Sequence, residues 1–307
     1  MPSSADWELV GVPYTSMADG GGIDTAIEVL RANGLARRLD TVGATDAGDL
    51  ELVPPDGVRG ASGLLNEAAL SRLVEATRDA TRAAIDRDHR LLMMGGDCPV
   101  MLGALAALRE PGQEVGLVML DGHEDAWPPT RSVTGEGSDC ELGVALGLFG
   151  ENLPSPLDHL VPLVDPSNAA LLGARDGVEL ADAGITSVRD EIGCFATSDD
   201  IHRAGPEAAM NAALTTIDAT RLWLHIDLDV LSSEAFPAVD YPQPGGLTWD
   251  QMDRMVEIVA SDVRCMGASV AIYNPDRDPD RSCALTAIDF VTRVVGADGR
   301  SRTAVTR

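Results

Sequence analysis

Two short acidic segments have the residue types and the spacing of a metal centre. The first, residues 121–125, reads DGHED, and the second, residues 225–229, reads HIDLD. In an extended segment, side chains at positions i, i+2 and i+4 point the same way, so the acids and the imidazole of a segment can converge. Four converging carboxylates repel one another strongly unless cations lie between them. The spacing therefore predicts a metal centre that holds two ions.

Both segments follow apolar runs, residues 114–120 and 221–224, that are typical of buried strands. Strand-like runs alternate with helix-like segments along the chain, which predicts a three-layer α/β/α fold with a mainly parallel sheet. The other predicted strands are Trp7–Val12, Arg90–Met94, His159–Val164, Ala169–Gly173, Thr186–Val188 and Gly267–Tyr273. The predicted helices are Thr25–Leu39, Glu67–Asp88, Val100–Leu108, Pro206–Asp218 and Thr248–Ser261. Parallel sheets place their sites beyond the carboxyl ends of the strands, where the acidic segments lie.

The composition limits the class of protein. The chain has 307 residues and a formal net charge of −26, with no basic cluster, which argues against binding nucleic acid or an anionic membrane surface. It has no apolar run of about 18 residues and no convincing linker, so we expect one domain over residues 1–307 and no membrane span. The five cysteines show no paired spacing, and the first residues lack a signal peptide, which predicts a cytoplasmic location.

Several motifs, in order along the chain, resemble those of the arginase/agmatinase ureohydrolase family. They are VGVPY (10–14), GGGIDTAIEVLRANGL (20–35), LLMMGGDCPVMLGAL (91–105), MLDGHED (119–125), LLGARD (171–176) and HIDLDVLSSEAFPAVDYPQPGGLT (225–248). The resemblance implies a three-layer α/β/α domain, a small-molecule substrate and a homo-oligomer. It also implies two Mn²⁺ ions with a bridging hydroxide, which attacks the carbon of a guanidino group or a related C–N bond.

The resemblance also assigns the metal ligands. It implies that Asp121 and Asp227 bridge the two ions and that His123 and Asp229 complete one site. Asp125 and the residue at position 98 would complete the other site. Carboxylate and imidazole donors are also ligands that suit Mn²⁺.

Position 98 is Cys98, where the family usually has histidine. A thiolate there would add negative charge, and a neutral thiol would leave that metal site weak or empty. Three interpretations remain open: a buried thiol, a sulfur ligand and a nucleophilic cysteine. Cys98, Gly122, His225 and Leu231 together resemble one subgroup of the family, the Nω-hydroxy-L-arginine hydrolases of D-cycloserine biosynthesis.

Two further departures concern the substrate. Ile272 occupies the position where the family places a glutamate against the guanidinium, so a neutral or apolar group would fit better there. The expected proton-shuttling histidine after the first acidic segment is missing, which leaves acids to transfer protons. The residues predicted to be catalytic are Asp125, Asp139 and Glu141. Those predicted to contact substrate are Arg175, Asp176, His225 and Ile272.

Three functions remain open at this stage. The first is a manganese-dependent hydrolase of a C–N bond in a guanidino, amidine or related linear substrate. The second is a mononuclear amide deacetylase, in which Cys98 leaves one site empty. The third is a non-catalytic family member that keeps metal for stability and serves as an assembly or regulatory subunit.

Overall fold

One parallel sheet forms the middle layer of the fold. The computed structural model describes residues 6–18 and 20–303, and the side chains of this range up to residue 296. The strands are β1 (Trp7–Gly11), β2 (Thr45–Asp49), β3 (Arg90–Met94), β4 (Val115–Leu120), β5 (Ala169–Gly173), β6 (Cys194–Thr197), β7 (Arg221–Asp227) and β8 (Cys265–Ala271). They lie in the order β2-β1-β3-β8-β7-β4-β5-β6, and every neighbouring pair is parallel.

Helices lie along the chain between these strands. They are α1 (Ala26–Ala32), α2 (Leu35–Asp40), α3 (Glu67–Asp86), α4 (Val100–Leu108), α5 (Glu141–Ala145), α6 (Leu157–Leu160), α7 (Gly177–Ala183), α8 (Ser198–Ala204), α9 (Pro206–Thr216), α10 (Trp249–Ala260) and α11 (Ser282–Thr303). Capping boxes at Thr197 and Thr248 begin α8 and α10 by satisfying free backbone N–H groups. Among the described helices, none is long and apolar enough to cross a membrane.

Each face of the sheet has its own hydrophobic core. Along β4, Val118 and Leu120 contribute to one buried cluster, whereas Leu117 and Met119 contribute to the other. This alternation follows from the two-residue period of a strand. The first cluster includes side chains of α1, α2, α9, α10 and α11, and the second includes those of α3, α4 and α5. The predicted three-layer α/β/α fold is therefore confirmed, with a sheet that is parallel throughout.

Two strand predictions are wrong. Residues 159–164 contain the end of α6 and a loop, where Pro162 has no N–H group for a sheet. Residues 186–188 form no strand either, because the Glu124 carboxylate accepts hydrogen bonds from the Ser187 hydroxyl and the Val188 N–H. The predicted helix 25–39 is divided at Gly34, whose φ of 101° is incompatible with a continuous helix.

Both edge strands were absent from the sequence prediction. β2 reads TDAGD and is exposed or half-buried throughout, so it has no apolar alternation to detect. β6 has four half-buried residues, CFAT. The predicted domain of residues 1–307 also includes residues 1–5, 19 and 304–307, which lie outside the described residues.

The contact between α3 and α4 leads to a prediction about stability. An added Cβ on Gly103 would lie 2.0 Å from Thr77 Oγ1 and 2.3 Å from the Val74 carbonyl oxygen. Gly103→Ala should therefore lower the free energy of unfolding by about 1–3 kcal/mol, measured by urea denaturation. Gly177→Ala is the control, because its Cβ would meet no atom within 4 Å. Equal denaturation midpoints for the two variants would contradict this packing.

Candidate metal centre

Neighbouring strands bring the two acidic segments to the same edge of the sheet. β4 and β7 pair with Leu120 opposite Ile226, so Asp121 and Asp227 follow at the same level. β8 lies on the other side of β7, and β3 lies beyond it. The loop after β3 carries Cys98, and it therefore approaches the same edge.

The acidic segments converge through tight turns and do not continue as extended strands. The Asp121 carboxylate accepts a hydrogen bond from the His123 N–H at 2.7 Å, and the Asp227 carboxylate accepts one from the Asp229 N–H at 2.6 Å. Such side-chain turns fold the chain back at each strand end. Asp125 follows in a left-handed conformation with φ of 44°, and its carbonyl oxygen accepts hydrogen bonds from the first turn of α5.

Two groups of side chains in this region are spaced to hold metal ions. In the first, potential ligand atoms of Asp121, His123 and Asp229 all lie within 4.8 Å of one another. Within this group, His123 Nδ1 is 3.0 Å from Asp229 Oδ2 and 3.8 Å from Asp121 Oδ1. The group combines two carboxylates with one imidazole, which is a donor set for a divalent cation.

The second group lies deeper and consists of Cys98, Asp121, Glu141 and His225. Its ligand atoms also lie within 4.8 Å of one another, and all four residues are buried. The Cys98 thiol donates to Asp227 Oδ2, with 2.9 Å between the sulfur and oxygen atoms. Asp121 belongs to both groups, so one carboxylate can bridge two ions.

The charges in and around the first group favour a bound cation. Burial and the charge of Asp125 raise the pKa of Asp121 well above its ordinary value, and burial and Asp229 do the same for Asp227. Burial lowers the pKa of His123, but Asp229 raises it further, to about 9. Burial raises the pKa of Asp229, but the charge and hydrogen bond of His123 and the charge of Arg175 together lower it more, so the net shift is downward. A single imidazolium therefore balances only part of the negative charge.

The deeper group has no positive side chain of its own. Burial and Asp227 raise the pKa of the Cys98 thiol, and burial and Asp121 raise the pKa of Glu141 well above its ordinary value. Burial lowers the pKa of His225 to about 3, so this imidazole is neutral at neutral pH. Without a cation, burial keeps these groups uncharged at neutral pH. A bound cation would favour the charged forms of the thiol and the carboxyls.

Unpartnered atoms provide a test of whether metal fits. Asp121 Oδ2, both carboxylate oxygens of Glu141 and His225 Nε2 are buried and have no hydrogen-bond partner among the described residues. Buried polar atoms are almost always paired in folded proteins. All these atoms belong to the groups described above and are ligand types that bind divalent metals. The donor set therefore fits a metal centre.

Arg175 and Asp176, predicted to contact substrate, lie beside this centre at the carboxyl end of β5. Arg175 Nη2 donates to the carbonyl oxygen of Asp229 at 2.6 Å. Gly122 leaves room for this guanidinium, because an added Cβ would lie 2.4 Å from Arg175 Nη1. Asp176 accepts a hydrogen bond from the Glu124 N–H, and burial raises its pKa to about 6. Arg175 therefore contacts the second acidic segment directly.

A cavity of about 200 Å³ opens above the first group. Its lining includes His123, Asp125, Asp227, Asp229 and Ile272. Asp139 also lines it, but hydrogen bonds from the Ser132 and Thr134 hydroxyls engage its carboxylate. Glu141 and His225 are not among the described residues that line the cavity. Among the predicted site residues, Cys98, Asp121 and Arg175 are likewise not in the described lining.

The cavity also contains acids that the sequence prediction did not assign to the site. Asp97, Glu136 and Asp240 line it. Burial and the charge of Asp97 raise the pKa of Glu136 to about 7. Asp97 lies three residues after the end of β3, a position that the sequence could have indicated. No sequence signal marked Asp240, which lies in a loop far from the acidic segments along the chain. The described lining contains no arginine or lysine, so the cavity is strongly electronegative.

The chain is similar in sequence to proteins of one known family. The model of the Arginase family matches residues 5–296. The arginase of Brevibacillus brevis is 27% identical over 297 residues, which cover 94% of this chain and 97% of that protein. The N(omega)-hydroxy-L-arginine amidinohydrolase of Streptomyces lavendulae is 26% identical over 213 residues, which cover 69% of this chain and 71% of that protein.

The chain belongs to the Arginase family, whose members hydrolyse C–N bonds in guanidino and amidine compounds. The crystal structure of arginase from Bacillus cereus has the same fold, with a TM-score of 0.81 and 24% sequence identity. That similarity covers 95% of this chain and 98% of the arginase. The family resemblance and the arginase-like fold predicted from the motifs are confirmed.

The buried carboxyls lead to a prediction about metal removal. In chelator-treated protein, Asp121, Asp125, Glu141 and Asp227 have raised pKa values, and that of His123 is about 9. The folded state then binds more protons than the unfolded state above about pH 7. The free energy of unfolding should fall from about pH 7 to about pH 9, by about 1.4 kcal/mol per pH unit for each retained proton.

Urea denaturation of chelator-treated protein across this pH range measures the effect. Added Mn²⁺ should stabilise the protein most at the higher pH, because bound cations replace the retained protons. Asp121→Asn removes one of the titrating carboxyls and should reduce the slope. Stability that stays constant or rises with pH in the metal-free protein would contradict this account.

Proposed function

We propose that this protein is a metal-dependent hydrolase that cleaves a C–N bond in a small guanidino or amidine substrate, with two divalent ions at the centre. The observation that carries the proposal is that two ligand groups share Asp121 beneath an acidic cavity. Membership of the Arginase family supports the reaction class. Manganese as the bound ion, a homo-oligomer and a cytoplasmic location stay predictions.

Within the proposed reaction, the chain's own residues position the substrate and transfer protons. Divalent ions bound at this centre would supply an activated water and would stabilise the charge that develops at the substrate carbon. Asp125 faces the cavity and can accept the proton of the attacking water. Glu136, with a pKa of about 7, is suited to protonating the departing amine. Asp139 holds its loop through Ser132 and Thr134.

The charge of the cavity favours a cationic substrate. Besides the candidate metal-binding carboxylates, the lining includes Asp97, Glu136 and Asp240, and it includes no arginine or lysine among the described residues. A guanidinium or amidinium group can therefore find ion-pair partners even though position 272 is an isoleucine. The same field would repel a substrate carboxylate, so we expect small cations without a carboxyl group to bind best.

The first test is a hydrolysis assay on guanidines and amidines with and without a carboxyl group, in the presence of Mn²⁺. We expect turnover of a cationic member, and Asp125→Asn and Glu136→Gln should each lower kcat about 10²–10⁴-fold by removing proton transfer. Glu234→Gln is the control, since this exposed acid does not line the cavity. No turnover across the panel by fully metal-loaded protein would overturn the proposed function.

Position 272 gives a second test, of substrate recognition. Ile272 lines the cavity and has a φ of 70°. Ile272→Glu adds a carboxylate there and should lower KM for a guanidinium substrate about tenfold, equivalent to about 1.4 kcal/mol. Ile272→Gln has the same shape and the same backbone cost without the charge, so it should give no such gain. Equal KM values for the two variants would show that position 272 does not contact the cationic group.

A further inference from the structure

The deeper group of Cys98, Asp121, Glu141 and His225 has the features of a second kind of metal site. We propose that it is a closed site with mixed sulfur, nitrogen and oxygen ligands, which selects a softer divalent ion such as Zn²⁺ over Mn²⁺. This inference deepens the proposed function and rests on it in one respect, that a second ion binds at the centre. The relative exposures of the four residues are 1%, 0%, 1% and 0%.

The unpartnered atoms of this group are the first argument. His225 Nε2 and both Glu141 carboxylate oxygens lie buried with no hydrogen-bond partner among the described residues, and so does Asp121 Oδ2. Leaving such atoms unpaired costs about 1–3 kcal/mol each, and more when they are charged. One cation in their midst would satisfy one atom from each of the three side chains. These buried, unpartnered atoms therefore indicate a ligand, which an acidic cluster alone would not.

The spacing of the ligand atoms is the second argument. Ligands at about 2.0–2.3 Å from a tetrahedral ion lie about 3.3–3.8 Å from one another. The four ligand atoms here lie within 4.8 Å of one another, so small side-chain movements bring them into that geometry. The Cys98 sulfur already contacts a carboxylate oxygen of Asp227 at 2.9 Å, so it faces the acidic centre.

The surroundings of His225 are suited to metal binding through Nε2. Its Nδ1 lies 2.7 Å from Ser269 Oγ, which also accepts a hydrogen bond from Trp223 Nε1 at 3.0 Å. The serine oxygen has two lone pairs and can accept from both rings. With the proton on Nδ1, Nε2 keeps its lone pair directed at the cluster. Histidine ligands are commonly oriented in this way by a partner on the other ring nitrogen.

This arrangement explains the cysteine at position 98. The imidazole that the family resemblance places there is absent, but His225 supplies one from β7, and Glu141 adds a carboxylate from α5. The resulting set contains a thiolate, an imidazole and two carboxylates. Thiolate and imidazole favour Zn²⁺ and related ions, whereas Mn²⁺ prefers oxygen ligands. Cys98, Glu141 and His225 therefore act together.

The position of the group predicts that its ion does not touch substrate. Cys98, Glu141 and His225 are not among the described residues that line the cavity, whereas His123 and Asp229 of the first group are. Sites whose ligands are all supplied by the protein are structural, and catalytic sites keep an open position. The open site above would hold the ion that faces the substrate, and Asp121 is shared by the two ligand groups.

Cobalt spectroscopy tests the closed site independently of activity. Metal-free protein titrated with Co²⁺ should show sulfur-to-cobalt charge-transfer absorption in the near ultraviolet. Cys98→Ser should abolish this band, and His225→Gln should weaken the site by more than the roughly 10–100-fold that loss of a ligand's hydrogen-bond partner costs. Cys265→Ser is the matched control and should keep the band. That buried thiol lies at the first residue of β8, at the end of the strand away from the metal centre.

X-ray absorption on the zinc-loaded, unmutated protein keeps the test decisive if a variant fails to fold. One sulfur at about 2.3 Å with nitrogen and oxygen at about 2.0–2.1 Å is expected. Zinc without a sulfur neighbour, or a cobalt band that survives Cys98→Ser, would overturn the inference. Sulfur ligation without turnover would refute only the proposed function, and turnover with two oxygen-ligated Mn²⁺ ions would refute only the closed site.

Discussion

The repulsion among buried carboxylates at one edge of a parallel sheet is the constraint on which this structure depends. Asp121, Asp125, Glu141, Asp227 and Asp229 are held close together, and burial raises the pKa values of the first four well above their ordinary range. A fold tolerates such a cluster when cations or protons neutralise it. The hydrophobic cores on both faces of the sheet supply the rigidity that holds these acids in place.

The residues expected to bind metal follow the family motifs more fully than those expected to contact substrate. Of the ligands expected from the family motifs, Cys98, Asp121, His123 and Asp229 belong to the two ligand groups, whereas Asp125 and Asp227 belong to neither. Ile272 stands where the resemblance places an acid, whereas Asp97, Glu136 and Asp240 line the cavity. Arg175 adds a positive charge next to Asp229, in space that Gly122 leaves free.

Sequence patterns predicted the bounds of buried elements well and missed the exposed and half-buried strands. The helix at 100–108 and the strands at 90–94 and 169–173 have the predicted bounds, because long apolar runs and clear turn residues delimit them. The two edge strands were missed because exposure on both sides removes the apolar pattern. Residues 186–188 resemble a strand locally, but a tertiary hydrogen bond to Glu124 decides their conformation.

The sequence alone determined the fold class, the family and the acidic segments of the candidate metal centre, because all three follow from motifs and residue spacing within short segments. Only the tertiary structure decided which atoms meet at that centre. Glu141 and His225 come from α5 and β7, and they join Cys98 in the deeper group, although all three are far apart along the chain. Neither periodicity nor motif spacing encodes such contacts, because they depend on which strands are neighbours. The order β3-β8-β7-β4 brings these residues together.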